Sequence, residues 1–197
     1  MNLLIDLVPT HVEIEGEEYV INSDFRHGIL FELLMQDDEL SEEEKIIQAL
    51  ELYYPVLPPN LEKAIEKIIW FYTCGKEKVK SKTNGTGKST NVYSFNHDDD
   101  YIYSAFLDQY EIDLQDIEYL HWWKFKAMFK ALREDNEIVK IMGYRSMDLN
   151  KIKDKEQREY YRKMQELHRI SLYEGADEEL DRINQILLNG GDLSKVL

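Results

Sequence analysis

Residues 114–134 read Leu114-Gln-Asp-Ile-Glu-Tyr-Leu-His-Trp-Trp-Lys-Phe-Lys-Ala-Met-Phe-Lys-Ala-Leu-Arg-Glu134. Wound as a helix, Ile117, Leu120, Ala127 and Ala131 share one side with Lys124, and Trp122, Phe125, Phe129 and Leu132 share another. A helix that is apolar on two sides is normally central, so the spacing predicts a core helix over 114–134. The rest of the chain is read around it.

Other stretches repeat the helical period. Asn22-Ser-Asp24 offers a cap ahead of Phe25. Ser41 with Glu44 forms a capping box before Ile46, Ala49, Leu50 and Tyr53. Pro55, Pro58 and Pro59 break that helix, and the next carries Leu61, Ile65, Ile68, Ile69 and Tyr72. Residues 98–110 place Ile102, Ala105, Phe106 and Gln109 together. A charged helix near 150–173 carries Tyr161, Met164, Leu167, His168 and Leu172. Gly175 ends it, and Asp177 caps a last short helix with Leu180, Ile183 and Leu187. The one β signal is N-terminal: Val12, Ile14, Tyr19 and Val20 flank Glu15-Gly16, giving a hairpin over 11–15 and 18–22. A lone hairpin is marginal in water, so it must rest on helices or on another subunit. The expected fold is mainly α: a single helical domain over 1–197 with a short N-terminal β-hairpin, and a frayed tail at 190–197.

Charge is uneven. The 197 residues carry 24 Lys plus Arg against 39 Asp plus Glu, a net charge of −15. Residues 1–75 hold 16 acids and 4 bases, whereas 76–90 hold five Lys and one Glu. The basic stretch contains a single large hydrophobe, Val79, and reads as a flexible loop over 75–92. So acidic a chain argues against nucleic acid as the main ligand. A single cysteine, Cys74, excludes an internal disulfide framework and an all-cysteine metal site. No apolar run approaches the ~18 residues of a membrane span. The expected product is soluble and intracellular, without a membrane partner.

Several motifs invite chemistry and fall short of it. Gly85-Thr-Gly-Lys-Ser89 resembles a phosphate loop, but Lys82 stands where its first glycine belongs. His97-Asp98-Asp99-Asp100 lacks the alternating ligand spacing of a calcium loop and suits a helix N-terminus. Cys74 beside Lys76 admits a depressed thiol pKa, with a small buried hydrophobe as the plainer alternative. His121 reads as a hydrogen-bonded structural histidine. His121-Trp-Trp-Lys-Phe125 is the densest aromatic run. Trp122, Trp123, Phe125 and Phe129 are either core or a partner-facing patch. Gly143 suggests a helix end that presents Tyr144 and Arg145 on a loop, as further partner-binding candidates. No catalytic residue, cofactor or metal is assigned, and no enzyme is expected.

Residues 93–106 read Tyr93-Ser-Phe-Asn-His-Asp-Asp-Asp-Tyr-Ile-Tyr-Ser-Ala-Phe106. They are followed by Tyr110, Asp113, Leu114, Tyr119-Leu-His-Trp-Trp-Lys-Phe-Lys126 and Ile141-Met-Gly-Tyr-Arg-Ser146. This succession resembles the "gene product fifteen" family of tail-region proteins from long-tailed phages and prophages of Gram-positive bacteria. The hairpin, Phe25, Pro58-Pro59 and Ile69-Trp-Phe-Tyr72 are similar to it as well. The resemblance implies a non-catalytic tail assembly chaperone, encoded just before the tape measure protein and binding it during tail morphogenesis. It also implies the tail tube protein as a second candidate partner, self-association as an option, and action in the host bacterial cytoplasm with absence from the mature virion. The alternative is a structural tail-completion or connector protein of the virion, joined to neighbours through the hairpin edge.

Overall fold

The computed structural model describes residues 2–76 and 92–170. The phosphate-loop-like Gly85–Ser89, nearly all of the basic loop, the last helix from Asp177, and the tail at 190–197 lie outside the described residues. Within the described residues the protein is mainly α: seven α-helices and one two-stranded antiparallel sheet. No helix among them is long and apolar enough to cross a membrane. The chain forms two compact units. One comprises Met1–Ser89 with Asp98–Lys140, the other Thr90–His97 with Ile141–Leu197.

The first unit opens with strands β1 (His11–Ile14) and β2 (Glu17–Val20). Glu15 and Gly16 both take positive φ, the requirement of the tight two-residue turn whose twist matches paired strands. Val12 and Ile14 are buried and His11 and Glu13 exposed, so β1 shows the alternation of a half-buried strand. β1 packs on helix α3 (Leu61–Tyr72), which gives the hairpin the support it needs.

Helix α1 (Phe25–Gln36) starts where Asp24 accepts from the Arg26 N–H at 3.0 Å. Helix α2 (Glu42–Tyr53) begins with the expected capping box: Ser41 Oγ accepts from the Glu44 N–H, and Glu44 accepts from the Ser41 N–H. Asn60 caps α3. Helix α4 (Asp99–Tyr110) follows the acidic run. Asp99 and Asp100 occupy its first turn, where negative charge is favoured, but the Asp98 side chain is buried and makes no cap bond to the helix.

The expected core helix over 114–134 is only half formed. Helix α5 spans Trp122–Lys130, and residues 113–121 are irregular. Tertiary bonds override the local period there. Asp113 closes a turn with the Gln115 N–H at 2.9 Å. Arg26 Nη2 donates to the carbonyls of Leu114 and Ile117, both at 2.9 Å, taking acceptors that a helix would have used. Residues 120–122 then run beside 23–25. Phe25 N–H donates to Leu120 O, and Trp122 N–H to Ser23 O, both at 2.8 Å. Asp24 accepts from the Leu120 N–H at 3.1 Å as well as holding Arg26.

Helix α6 (Glu137–Ser146), of which the sequence marked only an end at Gly143, continues past that residue, and the division between the units falls inside it. In the second unit a 3-10 turn (Leu149–Lys151) precedes helix α7 (Lys155–Leu167), capped by Asp154. α7 is therefore shorter than the charged helix anticipated over 150–173.

The core of the first unit is an aromatic stack around Phe125. Its ring lies parallel to Phe106 at 4.9 Å, Phe25 at 5.0 Å, Trp122 at 5.7 Å and Phe129 at 6.2 Å. Helix α1 approaches this stack through Gly28. A Cβ there would lie 2.3 Å from the Trp122 ring. Gly28→Ala is therefore expected to destabilise by roughly 1–3 kcal/mol or more, because the overlap exceeds the helix-propensity gain of about 1 kcal/mol. Gly143 is the control: nothing lies within 4 Å of its Cβ position in α6. Gly143→Ala should stabilise by up to about 1 kcal/mol. Urea unfolding of both variants checks the opposite signs.

Candidate partner-binding site

The four aromatic candidates of the first unit come together, and they do so in its interior. Trp122, Trp123, Phe125 and Phe129 are all buried. Each indole is also polar-satisfied. Trp122 Nε1 donates to Tyr72 O at 3.0 Å, and Trp123 Nε1 to Phe71 O at 2.7 Å. Trp122 stacks on Tyr72 at 5.4 Å, and Trp123 meets Trp70 edge-on at the same distance. Lys126 Nζ sits 5.0 Å above the Trp122 ring, a cation–π contact. Of the two alternatives for this run, the burial supports core packing. No ring among the four presents an open face here.

His121 explains how α5 is placed. Its Nδ1 accepts from the Trp123 N–H at 3.0 Å, so a histidine serves as the N-cap. Its Nε2 lies 3.0 Å from Pro9 O, which fixes the tautomer: the proton is on Nε2 and donates to the carbonyl. The ring thus ties the N-terminal segment to α5. Burial holds its pKa below the ordinary histidine value, outweighing the Pro9 bond, and Lys124 acts in the same direction as burial.

Tyr144 and Arg145 belong to the second unit and stand inside the last turn of α6, not on a loop. Gly143 is helical, and the expectation of a helix end there is corrected. Tyr144 stacks on His168 at 6.0 Å and meets Tyr160 and Tyr161. Arg145 Nε donates to His168 O at 2.6 Å, and Nη1 to Val92 O at 3.2 Å. Both half-buried side chains tie chain segments of their own unit together.

Cys74 lies where α3 turns off, at positive φ. Burial raises its thiol pKa, against the pull of Lys126 and Lys76, which favours the plainer reading of a small hydrophobe over an activated thiol. Among the described residues no cluster of His, Cys, Asp and Glu could hold a metal.

What sequence reasoning missed is aliphatic and exposed. Leu4 is 91% exposed and Leu7 93%, with Ile5 beside them in an N-terminal turn closed by Asn2 and Asp6. Ile46 and Ile47 on α2, and Val56 and Leu57 in the α2–α3 turn, are exposed too. On α3 the apolar residues divide: Ile68 is buried, while Leu61 and Ile69 stand half in solvent. The sequence signal was present, since eight of the 12 residues of α3 are apolar, a stripe wider than a single packing face uses.

The family model described as bacteriophage Gp15 protein matches residues 4–170, well over half of the chain. No curated protein and no solved structure matches.

Two outcomes follow from the buried constellation. Trp122→Ala should cost roughly 3–5 kcal/mol, read from chemical unfolding, because it empties a filled site and strands the Tyr72 carbonyl. His121 makes stability fall with acid. Its folded pKa is depressed, so its contribution is complete above the unfolded value of about 6.5 and is lost as pH drops through the lower folded value. Asn can cap without titrating. Wild type should therefore lose more stability than His121→Asn between pH 7.5 and 5.5, and equal losses would exclude a titrating cap.

Proposed function

Because this chain belongs to the bacteriophage Gp15 protein family, we propose that it is a non-catalytic tail assembly chaperone that binds the tape measure protein during tail morphogenesis. Unburied aliphatic side chains on a strongly acidic segment support this. Leu4, Ile5, Leu7, Ile46, Ile47, Val56, Leu57, Leu61 and Ile69 are all exposed, and all lie within residues 1–75 with their 16 acids and 4 bases. A holdase needs apolar surface to cover its client and charge to keep the complex dispersed. Its action would be stoichiometric, in the host cytoplasm, with the tail tube protein as a second partner.

The hairpin favours one other reading. Its sheet has two strands, so both outer edges lack a further strand among the described residues. Such an edge can be extended by a neighbour in a virion ring, as a tail-completion or connector subunit would require.

Co-expression with the tape measure protein distinguishes these. The chaperone keeps its client in the soluble fraction and is missing from purified virions by mass spectrometry. An equally insoluble client with and without this protein, or recovery at ring stoichiometry in particles, would reverse the conclusion.

A further inference from the structure

Resting on the chaperone reading, we propose that the outer face of α3 is where the client docks, and that it takes a basic amphipathic helix. Leu61, Ile65 and Ile69 recur every four residues and so stand above one another along α3. Leu61 is 49% exposed, Ile69 48%, and Ile65 is half-buried. Val56 and Leu57, in the turn before the helix, are exposed as well. The adjoining side of α3 is committed: Ala64, Ile68 and Phe71 are buried. The exposed row is therefore the outer flank of a wide apolar stripe, with no cover among the described residues.

Its length and spacing suit a helix. From Leu61 to Ile69 is about 12 Å along the axis, roughly two turns, which matches anchors at i, i+3 or i+4, and i+7 on an incoming helix. Its border selects charge. Glu62 lies three residues before Ile65 and Glu66 three before Ile69, so an acidic row borders the apolar one. Lys63 and Lys67 lie further round, and Lys63 is held to Glu66 at 2.9 Å. The surrounding 1–75 segment adds its excess of acids. A docking helix with Leu or Ile on one face and Lys or Arg along its edge complements both rows. A second copy of this chain would bring like charge to the same border.

The test uses the full chain and two labelled synthetic helices that share one leucine face, one flanked by Lys and the other by Glu. Fluorescence anisotropy should show the Lys helix binding wild type, and binding at least tenfold weaker to Leu61→Ser/Ile69→Ser. Leu107→Ser, at an exposed position of α4, should bind as wild type does. Circular dichroism and urea unfolding establish that the variants stay folded; both α3 positions are half exposed. Equal binding by the α3 variant, preference for the Glu helix, or no binding by wild type overturns the proposal. A wild-type dimer that the α3 variant dissociates overturns it too, in favour of a second copy. The same variant separates this proposal from its premise. If wild type and variant both keep the tape measure protein soluble, the chaperone stands and the α3 site fails. If wild type fails to keep it soluble while the Lys helix still needs Leu61 and Ile69, the chaperone fails and the helix-binding face stands.

Discussion

Two neighbouring indole N–H groups end helix α3. Its last four carbonyls, Ile69 to Tyr72, have no partner further along the helix, yet all are satisfied. Ile69 O accepts from the Thr73 N–H, and Trp70 O from the Gly75 N–H at 2.9 Å. Phe71 O and Tyr72 O accept from Trp123 and Trp122. Positive φ at Cys74 and Gly75 turns the chain away directly afterwards. The carbonyl end of α3 is thus welded to the first turn of α5, and His121 in turn aims α5 by capping it. With those two helix ends joined, the remaining packing has little freedom. Phe125 must fall between Phe25 and Phe106, and α1 can approach Trp122 only where it has no side chain, at Gly28.

Most of this fold was legible because most of it is locally encoded. The Ser41–Glu44 box, the Asp24 cap, the Glu15-Gly16 turn and the prolines between α2 and α3 each act over a few residues, and each stands where the sequence put it. The failures share a different cause. Residues 114–120 have helical spacing, but their carbonyls are claimed by Arg26, 88 residues away in sequence, and by Phe25. Gly143 carries the signature of a stop yet sits within α6, because an open-sided glycine costs a helix only about 1 kcal/mol, which flanking contacts absorb. No periodicity argument sees either effect.

The sequence left the aromatic run open between core and partner-facing patch, and burial favours the core. Aromatic density at 122–129 marked residues that matter, but tryptophan serves cores and interfaces by the same property, large buried area at low entropy cost. What separates the two uses is the destination of the N–H. Here both indoles spend it on α3, which commits the rings to the interior. Most of the exposed apolar side chains are Leu, Ile and Val, whose positions on α3 merge with the core positions in a one-dimensional reading.

That division has a physical consequence for binding. A core built from stacked aromatics whose indole donors are satisfied stays closed when a partner arrives, so contact need not reorganise it. Aliphatic side chains on the outside are non-directional and tolerate changes of register along a repetitive helix. Charge supplies the discrimination that they lack. At physiological salt, charges interact over about 8 Å, close to the width of one helix face. Glu62 and Glu66 therefore act on whatever lies along the Leu61–Ile69 row and little beyond it. On the docking proposal, such a border disfavours another acidic chain and favours a basic one, while the stripe takes the apolar side chains. An acidic protein can in this way expose leucine and isoleucine without condensing on itself.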